Sequence, residues 1–314
     1  MGKPSFGPQT SNWFGVVLFF ITYIGHTFCL GFFYNMINFN GSIVSDDTNV
    51  LTRNRAFLYG DAVFETVKIM NSKILFLEDH YFRLMSSMRV TRMEIPMNFT
   101  MEYLEEQILT LAKSKNLAIS SRARITVYRN EGGYYLPQDN TVSFLISVEN
   151  LDTTLYSISP KEYIVDLYTD FYVTRQLLSA IKTTNKIINI TASIFANENG
   201  LDNCLLLNDS KNVIEALQGN LFMFKGNTLI TPPVSEGCLN GVMRKQIFAL
   251  ARKMENLEVV EAVISPFDLQ KADELFITNV IKGVQPITKY RKKEFTTDLA
   301  GKLVRNLNDT LGSV

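Results

Sequence analysis

In the second half of the chain the apolar residues come in short runs, at 202–208, 213–216, 221–224 and 228–230, separated by asparagine and glycine turns. Runs this short suit strands rather than helices, and each Asn/Gly turn sends the chain back on itself. The first half has the same habit. Met36 to Val44 reads as strand, Asn-Gly turn and strand. Along 63–69, Val63, Glu65, Val67 and Ile69 alternate with Phe64, Thr66 and Lys68, so one side of that strand can line a site. Further strands are expected at 122–129, 142–148, 163–167 and 274–279, with a turn-rich stretch at 268–273. Helices are interspersed. One covers 77–93, with Glu78 and Asp79 in its first turn, Arg89 and Arg92 near its end and Pro96 as its stop. A second covers 100–115, and a third covers 241–255, beginning at a glycine. Short strands with helices between them specify an α+β or α/β protein with antiparallel character. The polar stretch 150–160, with Pro160, separates a small α+β domain at 36–152 from a larger one at 158–314.

The balance of residues narrows the chemistry. The chain has 314 residues, enough for two ordinary domains, and Lys+Arg and Asp+Glu are both 31. Zero net charge argues against a general electrostatic grip on nucleic acid or acidic membrane, although local cations can still bind a small anion. Cys29, Cys204 and Cys238 are far apart, and the histidines are His26 and His80. That supply argues against a Cys/His metal site and a disulfide framework, and equally against a Ser-His-Asp or Cys-His hydrolase, for which His80 would be the only plausible base. Absence of a disulfide framework fits a reducing, cytoplasmic setting.

The first 35 residues stand apart. Trp13 to Tyr34 contains no Asp, Glu, Lys or Arg and is long and apolar enough for a membrane-spanning helix. A membrane contact is expected only if 13–34 is retained. The other reading is an over-called start, since translation from Met36 would give a complete enzyme.

Four separate features point to a single site. In Leu178-Ser-Ala-Ile-Lys182 a lysine sits at the end of an apolar step, before a helix-spaced segment. A lysine desolvated there has the lowered pKa that Schiff-base chemistry needs. The same stretch also describes a solvated lysine in the first turn of an ordinary helix. Gly241 opens a helix whose free amides and dipole suit a phosphate. Arg83 can add a bidentate guanidinium. Glu215, at the end of an apolar strand, can pair with a ring-nitrogen cation.

Six stretches carry a family resemblance: Arg55 to Thr66, Glu78 to Arg83, Ile181-Lys-Thr-Thr-Asn185, Glu215 to Asn220, Asn240-Gly-Val-Met-Arg244 and Ala272 to Asn279. In this order and spacing the chain from Met36 resembles the class IV aminotransferases, the fold-type IV pyridoxal-phosphate enzymes. That group holds branched-chain and D-amino acid aminotransferases and aminodeoxychorismate lyase. The resemblance implies the two-domain D-amino acid aminotransferase-like fold, with a small N-terminal α+β domain and a larger C-terminal domain built on a mixed sheet or barrel. It implies pyridoxal 5'-phosphate as cofactor and a homodimer acting on a small amino substrate and an oxo acid, with no nucleic acid.

Carried over by position, Lys182 is the Schiff-base lysine and catalytic residue, and Glu215 is the partner of the pyridine nitrogen. Arg83 and the amides of Val242 and Met243 bind phosphate, Leu239 packs on the ring, and Asn220 and Gly241 complete the cofactor set. Phe64, Thr66, Lys68, Arg129, Tyr134, Asn279 and Val280 are the implied substrate residues. Met243, Thr66 and Asn279 match the lyase more than the transaminases. Tyr134 and Tyr135, in the 130–137 loop, stand where the lyase pattern often has arginine. Lys68, Arg129 or Lys282 could supply the missing cation for a dicarboxylate. The expected reaction is conversion of 4-amino-4-deoxychorismate to 4-aminobenzoate and pyruvate, with branched-chain or D-amino acid transamination to 2-oxoglutarate as the alternative.

Overall fold

The computed structural model describes residues 36–46 and 53–312. The apolar extension 1–35, with its 13–34 segment, lies outside the described residues. Among the described residues no helix is long and apolar enough to cross a membrane.

The first sheet comprises β1 (Met36–Phe39), β2 (Ser42–Ser45), β3 (Ala62–Met70), β4 (Lys73–Ile74), β5 (Ser120–Arg129) and β6 (Val142–Asn150). Their order is β2-β1-β6-β5-β3-β4, and each neighbouring pair is antiparallel. The Asn-Gly hairpin forms as the sequence indicates, because Asn40 and Gly41 both take positive φ, 48° and 89°. Helices Leu77–Val90 and Met101–Ser114 cover one face of this sheet. Val63, Val67 and Ile69 of β3 pack there with Leu84, Met88, Ile108 and Leu111. Every residue of β3 is buried, on the other face too, where Phe64, Thr66 and Lys68 look toward the second half of the chain. The first helix is shorter than the 77–93 expected. Thr91 ends it and Arg92 turns left-handed at φ 57°, so the stop precedes Pro96.

The second half carries β7 (Ile164–Val173), β8 (Asn203–Asn208), β9 (Val213–Ala216), β10 (Gly219–Lys225), β11 (Thr228–Thr231), β12 (Glu258–Glu261), β13 (Glu274–Asn279), β14 (Gly283–Ile287), β15 (Lys289–Tyr290) and β16 (Lys293–Glu294). The order β12-β11-β10-β9-β8-β7-β15-β16 forks at β10, which also pairs with β13, and β13 pairs in turn with β14. Contacts β7–β8, β7–β15 and β11–β12 are parallel and the others antiparallel, so the sheet is mixed. Helices Val242–Ala251 and Asp298–Gly312 pack on it around Phe222 and Phe276. The N-terminus of the last helix is held by the buried Glu274, whose carboxylate accepts from the amides of Leu299 (2.7 Å) and Ala300 (3.0 Å). That helix, β12 and β14–β16 lie beyond the elements read from sequence. The 241–255 helix ends at Ala251. The 268–273 turn follows a one-turn helix, Pro266–Leu269, with a Ser265/Asp268 capping box.

Lys182 is not delivered by a strand of its own sheet. A one-turn helix, Leu177–Ala180, leads into an extended stretch that docks on β3. Phe64 N donates to Lys182 O at 2.8 Å, Thr184 N donates to Ala62 O at 3.1 Å, and Val63 and Thr183 form a bridge. The lysine is thus fixed by pairing between the two halves of the chain.

Candidate active site

A cavity of about 430 Å³ lies where β3 and β5 face β9, β10 and the start of the Val242–Ala251 helix. Lys182 projects into it, with Nζ 4.6 Å from the centroid of the Phe64 ring. Burial pulls the pKa of this amine down to about 8, and the Arg83 charge adds to the effect. At neutral pH a useful share is therefore the free base, which an exposed lysine lacks.

One end of the cavity is built for an anion. Gly241 caps the Val242–Ala251 helix without any side-chain cap, and Gly241, Val242 and Met243 line the cavity. A Cβ at position 241 would fall 1.9 Å from Asn220 Oδ1, so only glycine lets the backbone come this close. Asn220 Nδ2 in turn holds Leu239 O at 2.7 Å. Arg83 reaches in from the Leu77–Val90 helix. Its Nε and Nη2 donate to Glu65, both at 2.7 Å, and its Nη1 donates to Asn240 O at 2.9 Å.

Glu215, at the end of β9, accepts from Leu239 N at 2.9 Å and faces the cavity. Burial pushes its pKa up, while that amide and the charges of Lys186 and Lys182 oppose the push. Such a carboxyl ionises most readily beside a cation, and it can share a proton with a basic ring nitrogen.

The far wall is also basic. Arg122 and Arg124 stand on β5, and Lys282 follows β13. The Arg124 guanidinium carbon lies 3.7 Å from the centroid of the Phe64 ring, and Nε donates to Thr126 at 3.2 Å. Burial lowers its pKa, and Arg122 adds to this. Neither Arg124 nor Lys282 has an ion-pair partner among the described residues, whereas Arg122 shares the exposed Glu149 at 3.1 Å. Thr278 Oγ1 is buried beside them with no hydrogen-bond partner among the described residues.

The structure brings together Lys182, Arg83, Glu215, Asn220, Leu239, Gly241, Val242 and Met243, with Phe64, Thr66, Asn279 and Val280 on the same cavity. It does not bring Arg129, Tyr134 or Lys68 into its lining. Arg129 is on the other face of β5, where it pairs with Asp61 at 3.0 Å and donates to the carbonyls of Thr91 and Arg92 and to Asn140. Tyr134 is 83% exposed, in a loop whose carbonyls of Gly132 and Tyr134 accept from Arg55. Lys68 is fully buried behind the wall, with Nζ 4.2 Å from the Tyr156 ring centroid. Residues missed from sequence are Arg122, Arg124, Lys186, Asn189 and Thr278. For Arg122 and Arg124 the signal was the alternation Arg122, Arg124, Thr126, which pairs across the ladder with Lys68, Thr66 and Phe64.

A family model described as amino-transferase class IV matches residues 62–290. The Methanocaldococcus jannaschii protein named "Putative branched-chain-amino-acid aminotransferase" is 28% identical over 283 residues, covering 87% of this chain and 94% of that one. Aminodeoxychorismate lyase of Vibrio harveyi is 26% identical over 271 residues, covering 85% and 97%. Among solved structures, the branched-chain aminotransferase of the archaeon Thermoproteus uzoniensis with norvaline superposes with a TM-score of 0.78. It is 20% identical, covering 88% of this chain and 95% of that one. A second branched-chain amino acid aminotransferase, complexed with N-(5'-phosphopyridoxyl)-L-glutamate, also superposes with a TM-score of 0.78. It is 22% identical, covering 89% and 95%.

Proposed function

The chain belongs to the class IV aminotransferases, and we propose that within them it takes an amino substrate bearing a carboxylate remote from the amine, with aminodeoxychorismate lyase as the reaction that fits best. It is a pyridoxal-phosphate enzyme, a lyase or transaminase of that family. The residues present suit the cofactor. A glycine-cradled helix start, a fixed guanidinium, a low-pKa lysine and a buried carboxylate meet on one cavity. Thr278 Oγ1 is a further polar atom there that awaits a partner.

When bound, pyridoxal phosphate supplies an aldehyde for the substrate amine and a protonated ring that accepts electrons. Arg83 and the amides of Val242 and Met243 would hold its phosphate, and Glu215 would keep the ring nitrogen protonated. Lys182 Nζ takes the proton from the amine-bearing carbon of the substrate. In the lyase reaction the C–O bond to the enolpyruvyl group then breaks. A proton returned to its methylene carbon gives pyruvate, and aromatisation to 4-aminobenzoate drives the step.

The observation that carries this reading is the far wall. Arg122, Arg124 and Lys282 are costly to desolvate against a purely aliphatic side chain and favourable against a carboxylate. A second reading, branched-chain transamination with 2-oxoglutarate, is favoured by the likeness to the Methanocaldococcus jannaschii protein, and glutamate would use the same wall. Purified protein given aminodeoxychorismate should release pyruvate and 4-aminobenzoate in equal amounts. Turnover of leucine with 2-oxoglutarate and no aminobenzoate would establish the second reading instead. Two copies of the chain would pair as a homodimer through the exposed apolar residues Leu177, Leu178, Ile187, Ile190 and Ile194.

A further inference from the structure

We propose that Glu65, itself held by His80, is a positioning residue that aims the Arg83 guanidinium at the anion end of the cavity. Glu65 lies on the helix-facing side of β3 and is fully buried. Its Oε1 accepts from Arg83 Nε, and its Oε2 accepts from Arg83 Nη2, both at 2.7 Å; Oε2 also meets His80 Nδ1 at 2.7 Å. A guanidinium has five N–H groups. Two go to Glu65 and one, on Nη1, goes to Asn240 O. Among the described residues the two left over are on the Nη1 and Nη2 end of the fork, in a residue that lines the cavity beside Gly241. One side chain thus ties β3, the Leu77–Val90 helix and the turn before the Val242–Ala251 helix.

The partner atoms define the protonation. The Glu65 carboxylate can only accept, so His80 presents Nδ1–H to it. His80 Nε2 is buried without a hydrogen-bond partner among the described residues. Burial alone would raise the Glu65 pKa, but the Arg83 charge and the bonds from His80 and Arg83 hold it well below the usual carboxylate range.

A carboxylate this close to an anion site is at first sight counterproductive, because it neutralises the cation and repels the phosphate. Its contribution is therefore geometric. It exchanges net charge for two N–H groups held in a fixed direction, which lowers the ordering cost of binding. Pure attraction and positioning predict opposite signs for Glu65→Gln. The first frees the Arg83 charge and tightens phosphate binding; the second releases the fork and weakens it.

The inference rests on the cofactor reading above, and binding rather than turnover tests it. The full chain, stripped of cofactor, is titrated with pyridoxal phosphate and with pyridoxal, which lacks the phosphate, and binding is followed by absorbance. Glu65→Gln should raise the Kd for pyridoxal phosphate about ten-fold and leave that for pyridoxal unchanged. Arg83→Lys, which keeps the charge and loses the fork, should show a loss at least as large. His80→Gln should show about three-fold in the same direction, because the ion pair remains. Equal weakening of both ligands, or tighter phosphate binding, in Glu65→Gln overturns the positioning role alone. Should that variant not fold, wild-type phosphate preference in Arg83→Lys does the same. A wild-type chain that binds neither ligand overturns the cofactor reading and this inference together.

Discussion

The two ends of the cavity are both basic, but they hold their charge in different ways. At the Gly241 end Arg83 is pinned by Glu65 and Asn240 O, and the remaining donors are backbone amides at a helix start. At the other end Arg124 and Lys282 have no ion-pair partner among the described residues, and Arg122 has one that is mostly in solvent. Pinned donors suit a ligand that stays, because their geometry need not be rebuilt. Unpaired, partly desolvated cations suit a ligand that comes and goes. Their penalty is relieved when a carboxylate arrives, and no internal partner has to be displaced in each cycle. The contrast divides the cavity into a cofactor end and a substrate end, with Lys182 between them.

The largest expected effect is at that dividing point. Lys182→Ala should lower kcat by at least about 10⁴-fold, since both nucleophile and proton carrier are lost. Borohydride should then no longer fix the cofactor to the chain, while non-covalent cofactor binding survives through the Gly241 end. Retention of borohydride labelling in this variant would mean that another amine, with Lys186 the nearest candidate in the lining, does the work. Next in size is Arg124→Gln. It should raise KM for a dicarboxylate by roughly 10- to 100-fold, with little change in kcat and none in cofactor Kd. A change in cofactor affinity instead would erase the distinction between the two ends.

A smaller effect concerns pH. With Lys182 lowered to about 8, its free-base fraction rises with pH and is half complete there. The rate at which stripped protein takes up pyridoxal phosphate covalently should follow that curve. A midpoint near 10.5 would show that the lysine is not desolvated before the cofactor arrives.

How much of this was legible depends on which physical rule each feature obeys. Lys182, Glu215 and the Gly241 helix start are local patterns, and each appears in the cavity where the sequence pointed. The far wall is not local. Arg129 and Arg124 are five positions apart on β5, an odd spacing, so a strand puts them on opposite faces. The sequence shows the alternation but not which face meets the other half of the chain. That choice is made by the pairing of β5 with β3 and of 181–184 with β3, both long-range. The role of Glu274 was hidden for a similar reason, as the helix it caps begins more than twenty residues later. The apolar spacing of Leu299, Leu303, Val304 and Leu307, by contrast, is a local pattern that marks one face of a helix.

The smallest effect sharpens where the substrate end stops. Lys68 lies behind the far wall, fully buried against the Tyr156 ring, with no ion pair among the described residues. Burial and the nearby Lys282 charge lower its pKa to about 8. A lysine whose folded pKa lies below its unfolded value near 10.5 opposes folding while it is charged. The penalty is full below about pH 8 and fades as pH rises toward 10.5. Lys68→Met keeps the stem and removes the charge. It should stabilise the chain by about 1 kcal/mol at pH 7, a rise of a few degrees in Tm, and the gain should shrink at pH 10. Wild-type stability rises over the same interval through Lys182 as well, so the difference between variant and wild type is the quantity to follow. If Lys68 belongs to the substrate end only through its field, KM for a dicarboxylate should rise just about two- to three-fold, far less than for Arg124→Gln. A gain in stability that persists unchanged at pH 10 would show that the amine is accommodated without an electrostatic penalty. A rise in KM matching that of Arg124→Gln would place Lys68 in contact with the substrate and extend that end of the cavity past the wall.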